Sequence, residues 1–361
     1  MQTTNVGLND IAVKLFIVIA AIALLVAGQA FFIPFILAIF LTFLLNPISK
    51  KLEQFRVPKA LAIIISILLA MIAFGGLLWF FFSQIASFQE DLPELKKQMG
   101  EKSNRFFTWL SGWTKVESPK IKEWVIRKLK DSDEAGSTVV MGIFTFTGTF
   151  LAMLGLIPVY VFFLTYFKEK YKTFIKLVYK EKEEQAIKLI GKISSVSKNY
   201  LKGVILDVAI LSVLGSIGYL LLGIKHAILF GVLAAVLNVI PYIGVLVGSL
   251  LPVMMALITK DEIGYVFGAM GVAFVVQFLD NNFINPYIVG SSVSINPLTA
   301  IVVLVIGALT WGIAGMVLSI PIAGVLKVVC DNTESLKPYG YLIGEEVKFK
   351  KKFFGPHKVN E

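Results

Sequence analysis

The chain contains 361 residues, of which 57% are hydrophobic and 16% are charged, and its mean hydropathy is +0.79. A soluble domain carries about 25% charged residues, so this composition excludes an ordinary soluble protein and predicts an all-α polytopic membrane protein in a lipid bilayer. The formal net charge of +10 could serve nucleic-acid binding. Because no basic stripe is interleaved with aromatic residues, we expect no nucleic-acid partner and assign the excess charge to cytoplasmic loops.

Residues 1–86 are predicted to form the N-terminal transmembrane helices. Their apolar segments cover 15–30, 31–45 and 60–82, with Pro34 between the first two and Asn46-Pro47 at the end of the second. At 1.5 Å per residue the first two are each about 23 Å long, which is short for a hydrocarbon core of ~30 Å. They are therefore two short spans or a re-entrant pair. The basic loop at 50–59 should be cytoplasmic.

Three further segments follow. Residues 87–137 combine nearly balanced charge with several aromatic side chains, which predicts an extracytoplasmic segment of amphipathic helices. Residues 138–167 are predicted to return as a transmembrane helix kinked at Pro158. Residues 168–202 carry ten lysines against four glutamates, which indicates a basic cytoplasmic helical segment.

Residues 203–330 are predicted to be a C-terminal transmembrane core, and residues 331–361 a basic cytoplasmic tail. Within the core, the apolar stretch 227–258 is interrupted by Pro241 and Pro252, and a later stretch by Pro321. If 227–258 is one crossing, the chain has about eight crossings. This even number leaves both termini on the same side of the membrane, which we expect to be the cytoplasm. A hairpin there would require a second hairpin elsewhere.

Two polar, helix-breaking signatures lie inside this core, at 238–244 (Asn-Val-Ile-Pro-Tyr-Ile-Gly) and 277–290 (Gln-Phe-Leu-Asp-Asn-Asn-Phe-Ile-Asn-Pro-Tyr-Ile-Val-Gly). Pro241 has no N–H for the carbonyl of Leu237, so an acceptor should be freed there. Gly244 and Gly290 allow the backbone to turn or to approach another backbone closely. Irregular backbone is tolerated at membrane depth only inside protein or beside a wet cavity.

The second signature also places polar side chains on one face of a helix. If residues 263–285 are helical, four of these side chains fall within an arc of about 140°, while Asn282 lies off it. They are Gln277, Asp280, Asn281 and Asn285. Polar groups on one face of an apolar helix require a protein interior or water rather than lipid.

Asp207 and Asp280 are the candidate intramembrane carboxylates. A carboxylate of this kind can bind a proton and a cation in turn, while amide groups supply oxygens to a cation or hydrogen bonds to a polyhydroxylated solute. Alternatively, either aspartate is solvated at a membrane interface, and Asn238 caps freed backbone carbonyls. The candidate transport residues are Asp207, Asn238, Pro241, Tyr242, Gly244, Gln277, Asp280, Asn281, Asn285, Pro286 and Gly290.

The sequence contains no Walker A motif, no nucleophile elbow and no metal-ligand spacing. We therefore expect neither an enzyme nor a cofactor or bound metal. Any transport should be driven by an ion gradient or by the gradient of the solute itself.

Five blocks carry a resemblance to a known family. They are residues 34–47, 238–244, 277–290 with its Asn-Pro-Tyr-x-x-Gly, 296–298 (Asn-Pro-Leu) and the Gly-rich 307–321. Together they are similar to the AI-2E (autoinducer-2 exporter) family of bacterial membrane proteins. The resemblance implies export of a small polar solute such as autoinducer-2, a role in quorum sensing, a homo-oligomer and a location in the bacterial cell (inner) membrane.

Two alternatives to export stay open at this point. The first is antiport of a monovalent cation such as Na⁺ or Li⁺ against a proton, which the resemblance also implies and which suits Asp and Asn clusters. The second is a membrane scaffold that transports nothing. Broken helices at membrane depth are more typical of transporters than of scaffolds.

Overall fold

The computed structural model describes residues 8–114, 155–240, 243–288 and 293–345. Five helices in these ranges are long and apolar enough to cross a membrane, and shorter apolar helices accompany them. Apart from one isolated bridge between Ile295 and Gly344, the described chain has no β-structure. The prediction of an all-α polytopic membrane protein is confirmed.

The helices follow one another in this order: α1 (Leu8–Ala27), α2 (Gln29–Gln54), α3 (Lys59–Thr114), α4 (Gly155–Tyr166), α5 (Lys168–Val178), α6 (Glu183–Leu221), α7 (Ala227–Leu237), α8 (Ile243–Thr259), α9 (Gly264–Leu279), α10 (Asn285–Ile288), α11 (Pro297–Asn332) and α12 (Lys337–Ile343).

The first two helices meet at Gly28 rather than at Pro34. Both Pro34 and Pro47 lie inside α2, which continues to Gln54, so the predicted breaks at these prolines are wrong. A proline removes one backbone hydrogen bond, which a membrane helix packed against its neighbours tolerates. At Gly28 the backbone leaves the helical region (φ −90°, ψ 14°), and its carbonyl accepts from the N–H groups of both Phe31 and Phe32.

Helix α3 is 56 residues long, about 84 Å, and so extends well beyond a hydrocarbon core of ~30 Å. Its distal part docks on the turn between α6 and α7. Asp91 Oδ2 lies 2.7 Å from both Lys225 Nζ and His226 Nε2, and Leu95 is buried in the adjacent hydrophobic cluster. The remainder of the predicted extracytoplasmic segment, residues 115–137, lies outside the described residues.

Residues 227–258 do not make one crossing, because α7 and α8 form a hairpin. Helix α7 has 11 residues, about 16 Å, which is too short to cross a ~30 Å core. Helix α8 packs back along it, since a Cβ added to Gly248 would lie 2.8 Å from the Cα of Ala234. The end of α8 returns to the turn that precedes α7, since a Cβ added to Gly223 would lie 3.1 Å from Lys260 Nζ. The predicted break at Pro252 is also wrong, because this proline lies inside α8.

Helix α11 contains a second reversal. Its backbone is non-helical at Trp311 and Gly312, and Gly312 has φ 58°, a conformation that favours glycine. A Cβ added to Gly307 would overlap the carbonyl of Gly315, although a straight helix would separate these residues by about 12 Å. The two limbs, 297–310 and 313–332, therefore fold against each other. The expected break at Pro321 is wrong, because the chain reverses ten residues earlier.

The ends of the helices gather on two faces of the molecule. On one face, called the basic face here, Lys59 Nζ donates to the carbonyl of Tyr166 (2.7 Å), Lys168 Nζ to Asn46 Oδ1 (3.2 Å) and Lys192 Nζ to Asn332 Oδ1 (2.7 Å). The other face holds the α6–α7 turn, the end of α8 and the Asp91 contact. The hairpin α7–α8 enters from that opposite face, whereas α11 begins and ends at the basic face. The reversal in α11 is thus the second hairpin that the crossing parity required. The location of both termini in the cytoplasm stays a prediction.

Cysteine labelling tests the reversal at α7–α8. In a Cys330→Ser background, Lys225→Cys and Glu262→Cys should react with a membrane-impermeant thiol reagent from the same side of the membrane, and Lys51→Cys from the other. Intact cells and inverted vesicles supply the two sides. If residues 227–258 crossed the membrane once, Glu262→Cys would instead react from the side of Lys51→Cys.

The close packing of α6 against α7 gives a stability prediction. A Cβ added to Gly231 would overlap the backbone of Ser216, which cannot move aside as a flexible side-chain tip could. Gly231→Ala should therefore destabilise the purified protein by about 1–3 kcal/mol, measured by unfolding in detergent. Gly271→Ala is the control, because a Cβ on Gly271 meets nothing within 4 Å. Equal unfolding curves for the two variants would contradict the packing.

Candidate functional site

Three helices bring polar side chains together inside the apolar core. Asp207 comes from the middle of α6, and Asn238 follows the last residue of α7. Gln277 lies in the last turn of α9, and Asp280 directly follows that helix. Asn238 Nδ2 donates to Asp280 Oδ2 at 2.9 Å, and Gln277 Nε2 donates to the same oxygen at 3.2 Å. We call Asp207, Asn238, Gln277 and Asp280 the carboxylate cluster.

The two aspartates of the cluster are buried and face each other. Asp280 is 1% exposed and Asp207 is 7% exposed. The carboxyl group of Asp207 lies close enough to that of Asp280 for the two acids to interact directly. The alternative expectation, in which either aspartate is solvated at an interface, does not fit this burial.

Each aspartate also keeps one oxygen without a partner. Asp207 Oδ1 and Asp280 Oδ1 are fully buried and accept no hydrogen bond from the described residues, and neither carboxylate forms an ion pair there. An uncompensated buried charge is costly, and two carboxylates at close range repel each other. The cluster therefore has the chemistry to hold a proton or a small cation between its two acids.

The backbone at Asp280 is irregular. Residues 280–284 form a π-helical turn in which the N–H of Asn285 donates to the carbonyl of Asp280, five residues earlier. Pro286 follows and has no N–H for the carbonyl of Asn282, so the α-helical ladder cannot resume at once. Single π-turns within α-helices frequently occur at functional sites.

This turn changes the predicted polar face. Asn281 is exposed and reaches the cluster only through Gln277, whose Nε2 donates to Asn281 Oδ1 at 3.0 Å. Asn285 lies beyond the π-turn and is half-buried, and Pro286 is exposed in α10. The arc calculated for a straight α-helix is therefore not kept, because the wider turn rotates the residues that follow it.

The backbone hydrogen bonds near the tip of the α7–α8 hairpin differ from those expected from the sequence. The carbonyl of Leu237 is not left free, because it accepts from the N–H of Ile240 at 2.8 Å. A Cβ on Gly244 would overlap that same carbonyl, so the close approach predicted for this glycine is present. Pro241, Tyr242 and Gly290 lie outside the described residues. Asn238 directs its amide to Asp280 rather than capping a backbone carbonyl.

Comparison with known proteins identifies the family. The sequence profile described as AI-2E family transporter matches residues 15–335. The chain belongs to the AI-2E transporter family. Its relatives include YueF of Bacillus subtilis, whose transport role is itself an inference, at 26% identity over 82% of each chain. They also include the AI-2 transport protein TqsA of Escherichia coli, at 23% identity over 92% of this chain and 96% of TqsA.

Family membership makes this AI-2E protein a multi-pass membrane transporter and points away from an enzyme. A cavity lies beside its carboxylate cluster, between α6, α7, α8 and α9. The cavity has a volume of about 40 Å³ and is lined by Asn238 and Gln277 of the cluster and by Tyr219 and Ser249. One water needs roughly 10–15 Å³, so a few waters fit.

Sequence reasoning missed Tyr219 and Ser249 as lining residues of this AI-2E transporter. Tyr219 is buried, and Ser249 lies two turns beyond the start of α8. Both are polar groups in long apolar helices, and that isolation is the signal that could have identified them. Their depth beside the cluster could not be read from the sequence, because the sequence leaves open whether residues 227–258 cross the membrane once or form a hairpin.

Repulsion between the paired aspartates should destabilise the folded protein, so removing one of the two charges should stabilise it. An amide in Asp207→Asn could donate to the unpartnered oxygen of Asp280 and remove one of two repelling charges. At pH 8 and without added Na⁺ or Li⁺, the free energy of unfolding of this variant should be about 1–3 kcal/mol higher than that of the wild type.

The matched control for this variant is Asp331→Asn, which breaks a partly exposed pair with Lys327 (2.6 Å) and should change stability by less than ~1 kcal/mol. Unfolding of detergent-solubilised protein by heat or denaturant gives the comparison. An Asp207→Asn variant that unfolds more readily than wild type would show that the described cluster already compensates both charges.

Proposed function

We propose that this AI-2E transporter exports a small polar solute of the autoinducer-2 type and couples that export to the movement of a proton or monovalent cation at the carboxylate cluster. One observation carries the coupling: two buried carboxyl groups lie within reach of each other, and each keeps an oxygen without a hydrogen-bond partner among the described residues. Buried ionisable residues of this kind are typical of ion pathways and proton relays.

The mechanism follows from how the cluster is built. A bound proton or cation offsets the repulsion between Asp207 and Asp280 and leaves Asn238 bonded to Asp280. Loss of the ion restores the repulsion at the point where the hairpin tip meets α6 and α9. Occupancy of the cluster therefore biases the position of the α7–α8 hairpin, and alternating access would occur about the breaks at 238–244 and 277–290.

The solute and its direction rest on relatives. TqsA is named for AI-2 transport, and this chain matches nearly all of its length. The outward direction and a role in quorum sensing are supported by the family resemblance alone. The same holds for a homo-oligomer and for a location in the bacterial cell (inner) membrane, where the basic face would contact the cytoplasm.

A second candidate function is antiport of Na⁺ or Li⁺ against a proton, and the size of the cavity favours it. Ligand pockets are typically ~300–1,000 Å³, whereas the cavity beside the cluster holds about 40 Å³. In this conformation the space suits water or a small ion rather than a solute. The remaining amide oxygens of Asn238 and Gln277, with the two carboxylates, form an oxygen-rich ligand set for a hard cation.

Reconstituted proteoliposomes with an imposed pH gradient separate these functions. Addition of Na⁺, Li⁺ or K⁺ should dissipate the gradient if the protein is an antiporter, whereas solute export predicts dissipation only when autoinducer-2 is supplied. In either case Asp280→Asn should abolish the response. Asn238→Ala should weaken the apparent Na⁺ or Li⁺ affinity about 10–100-fold, because Asn238 orients the Asp280 carboxylate that would bind the cation.

The control is again Asp331→Asn, which should behave as wild type. Autoinducer-2 flux that is independent of pH and equal in wild type and Asp280→Asn would remove the carboxylate cluster from the mechanism. If neither cations nor autoinducer-2 gave a response in tight vesicles with correctly inserted protein, the proposed substrates would be wrong.

A further inference from the structure

A concave apolar groove lies between α3 and α4, away from the carboxylate cluster. Its volume is about 370 Å³, within the ~300–1,000 Å³ typical of ligand pockets. The residues that line it are all apolar: Ile64, Ile67, Leu68, Met71, Pro158, Val159, Phe162 and Phe163. Several of these, including Leu68, Met71 and Phe163, are about half exposed. Such a surface suits a hydrocarbon chain and offers no hydrogen bond to a polar solute.

The end of this groove that lies toward the basic face is bordered by lysines. Lys59 precedes Ile64 by five residues, about 7.5 Å along α3. Its Nζ donates to the carbonyl of Tyr166 at 2.7 Å and lies 5.1 Å from the centroid of the Tyr166 ring, one turn beyond Phe163. Lys168 Nζ donates to Asn46 Oδ1 at 3.2 Å. An ammonium group has three N–H donors, more than these contacts use.

Positive charge is in excess at this rim. Partial burial lowers the pKa of Lys168, and the nearby Lys50 and Lys59 add to that decrease, while Glu53 and Glu169 oppose it. Glu169 already forms an ion pair with Lys172 at 2.9 Å. An anion bound at the rim would relieve the repulsion among the lysines and favour the charged form of Lys168.

We infer that the groove and its rim form a binding site for an anionic glycerophospholipid of the basic-face leaflet. One acyl chain lies along the apolar groove, and the phosphate is bound by Lys59 and Lys168. Charge complementarity and the continuity of groove and rim select this occupant, because basic pockets between transmembrane helices at the cytoplasmic side bind anionic lipid head groups. A second copy of the chain would instead need an acidic patch beside an apolar ridge.

This site has a structural consequence that is separate from the proposed transport function. The α2–α3 and α4–α5 connections meet at the rim through the Lys59–Tyr166 and Lys168–Asn46 contacts. A phosphate shared by two lysines would tie these connections together. The bound lipid would then stabilise the α2–α3–α4 bundle without entering the carboxylate cluster.

Native mass spectrometry of the purified full-length protein tests the site. Phosphatidylglycerol should bind about tenfold more tightly than phosphatidylcholine, and the double variant Lys59→Gln/Lys168→Gln should lose that preference. The charge-matched control Lys180→Gln/Lys188→Gln removes two lysines from the same face outside the rim and should keep it. Leu68→Trp, which fills the groove, should weaken binding of both lipids.

Three outcomes would overturn the proposal. The first is equal phosphatidylglycerol preference in the rim and control variants. The second is stabilisation by inorganic phosphate equal to that by phosphatidylglycerol, which would indicate an anion site that does not use the groove. The third is dissociation of an oligomer by Leu68→Trp with lipid binding unchanged, which would make the groove a contact between copies.

Discussion

The pairing of Asp207 with Asp280 is the constraint on which the membrane core depends. Two acids can be buried together only if the surrounding helices approach closely enough to surround them and if polar partners reach them. The contact between Gly215 and Gly231 allows that approach, because a Cβ on Gly215 would lie 3.3 Å from the Cα of Gly231. The same packing carries Asn238 to the level of Asp280. Small residues in the helix interface and a polar cluster at its end are thus parts of one arrangement.

Two hairpins that enter from opposite faces surround this arrangement. Neither could lie against lipid at its tip, because the reversing backbone exposes polar groups that hydrocarbon cannot satisfy. In α7–α8 the tip is satisfied by its own backbone, through Leu237 and Ile240, and by Asn238. In α11 the tip is held by Trp311, whose Nε1 donates to the carbonyl of Leu25 at 2.9 Å. Broken helices that meet the membrane from both sides are a recurring architecture of secondary transporters.

Particular residues show what the sequence could predict. The polar side chains Asp207, Asn238, Gln277 and Asp280 were identifiable because isolated polar groups in apolar helices must find partners. That these side chains contact one another depends on the tertiary packing of α6, α7 and α9, which local sequence does not show. Straight-helix geometry places Asn281 and Asn285 on the same face as Gln277 and Asp280, but the π-turn at 280–284 does not follow that geometry.

Four of the prolines did not predict helix breaks. Pro34, Pro47, Pro252 and Pro321 all lie inside helices, while the chain bends at Gly28 and reverses at Trp311 and Gly312. A proline deletes one local hydrogen bond, whereas a reversal is decided by which surfaces the two limbs bury against each other. No window of sequence contains that information. A hairpin at 227–258 could be raised as an alternative, and crossing parity then required a second hairpin, but the position of the second could not be predicted.

Helix α3 connects the apolar groove to the base of the α7–α8 hairpin. Its first half packs with α2 and α4 in a cluster that contains Ile63, Ile67 and Val161, next to the apolar groove. Its distal half reaches the base of the α7–α8 hairpin through Leu95 and Asp91. A helix of this length transmits displacement along its axis better than a chain of loops would. Movement of the hairpin relative to the α2–α3–α4 bundle must therefore either break the Asp91 contacts or bend α3. Pro93 lies between Asp91 and Leu95 and has no N–H for the carbonyl of Gln89, so bending would require least energy there.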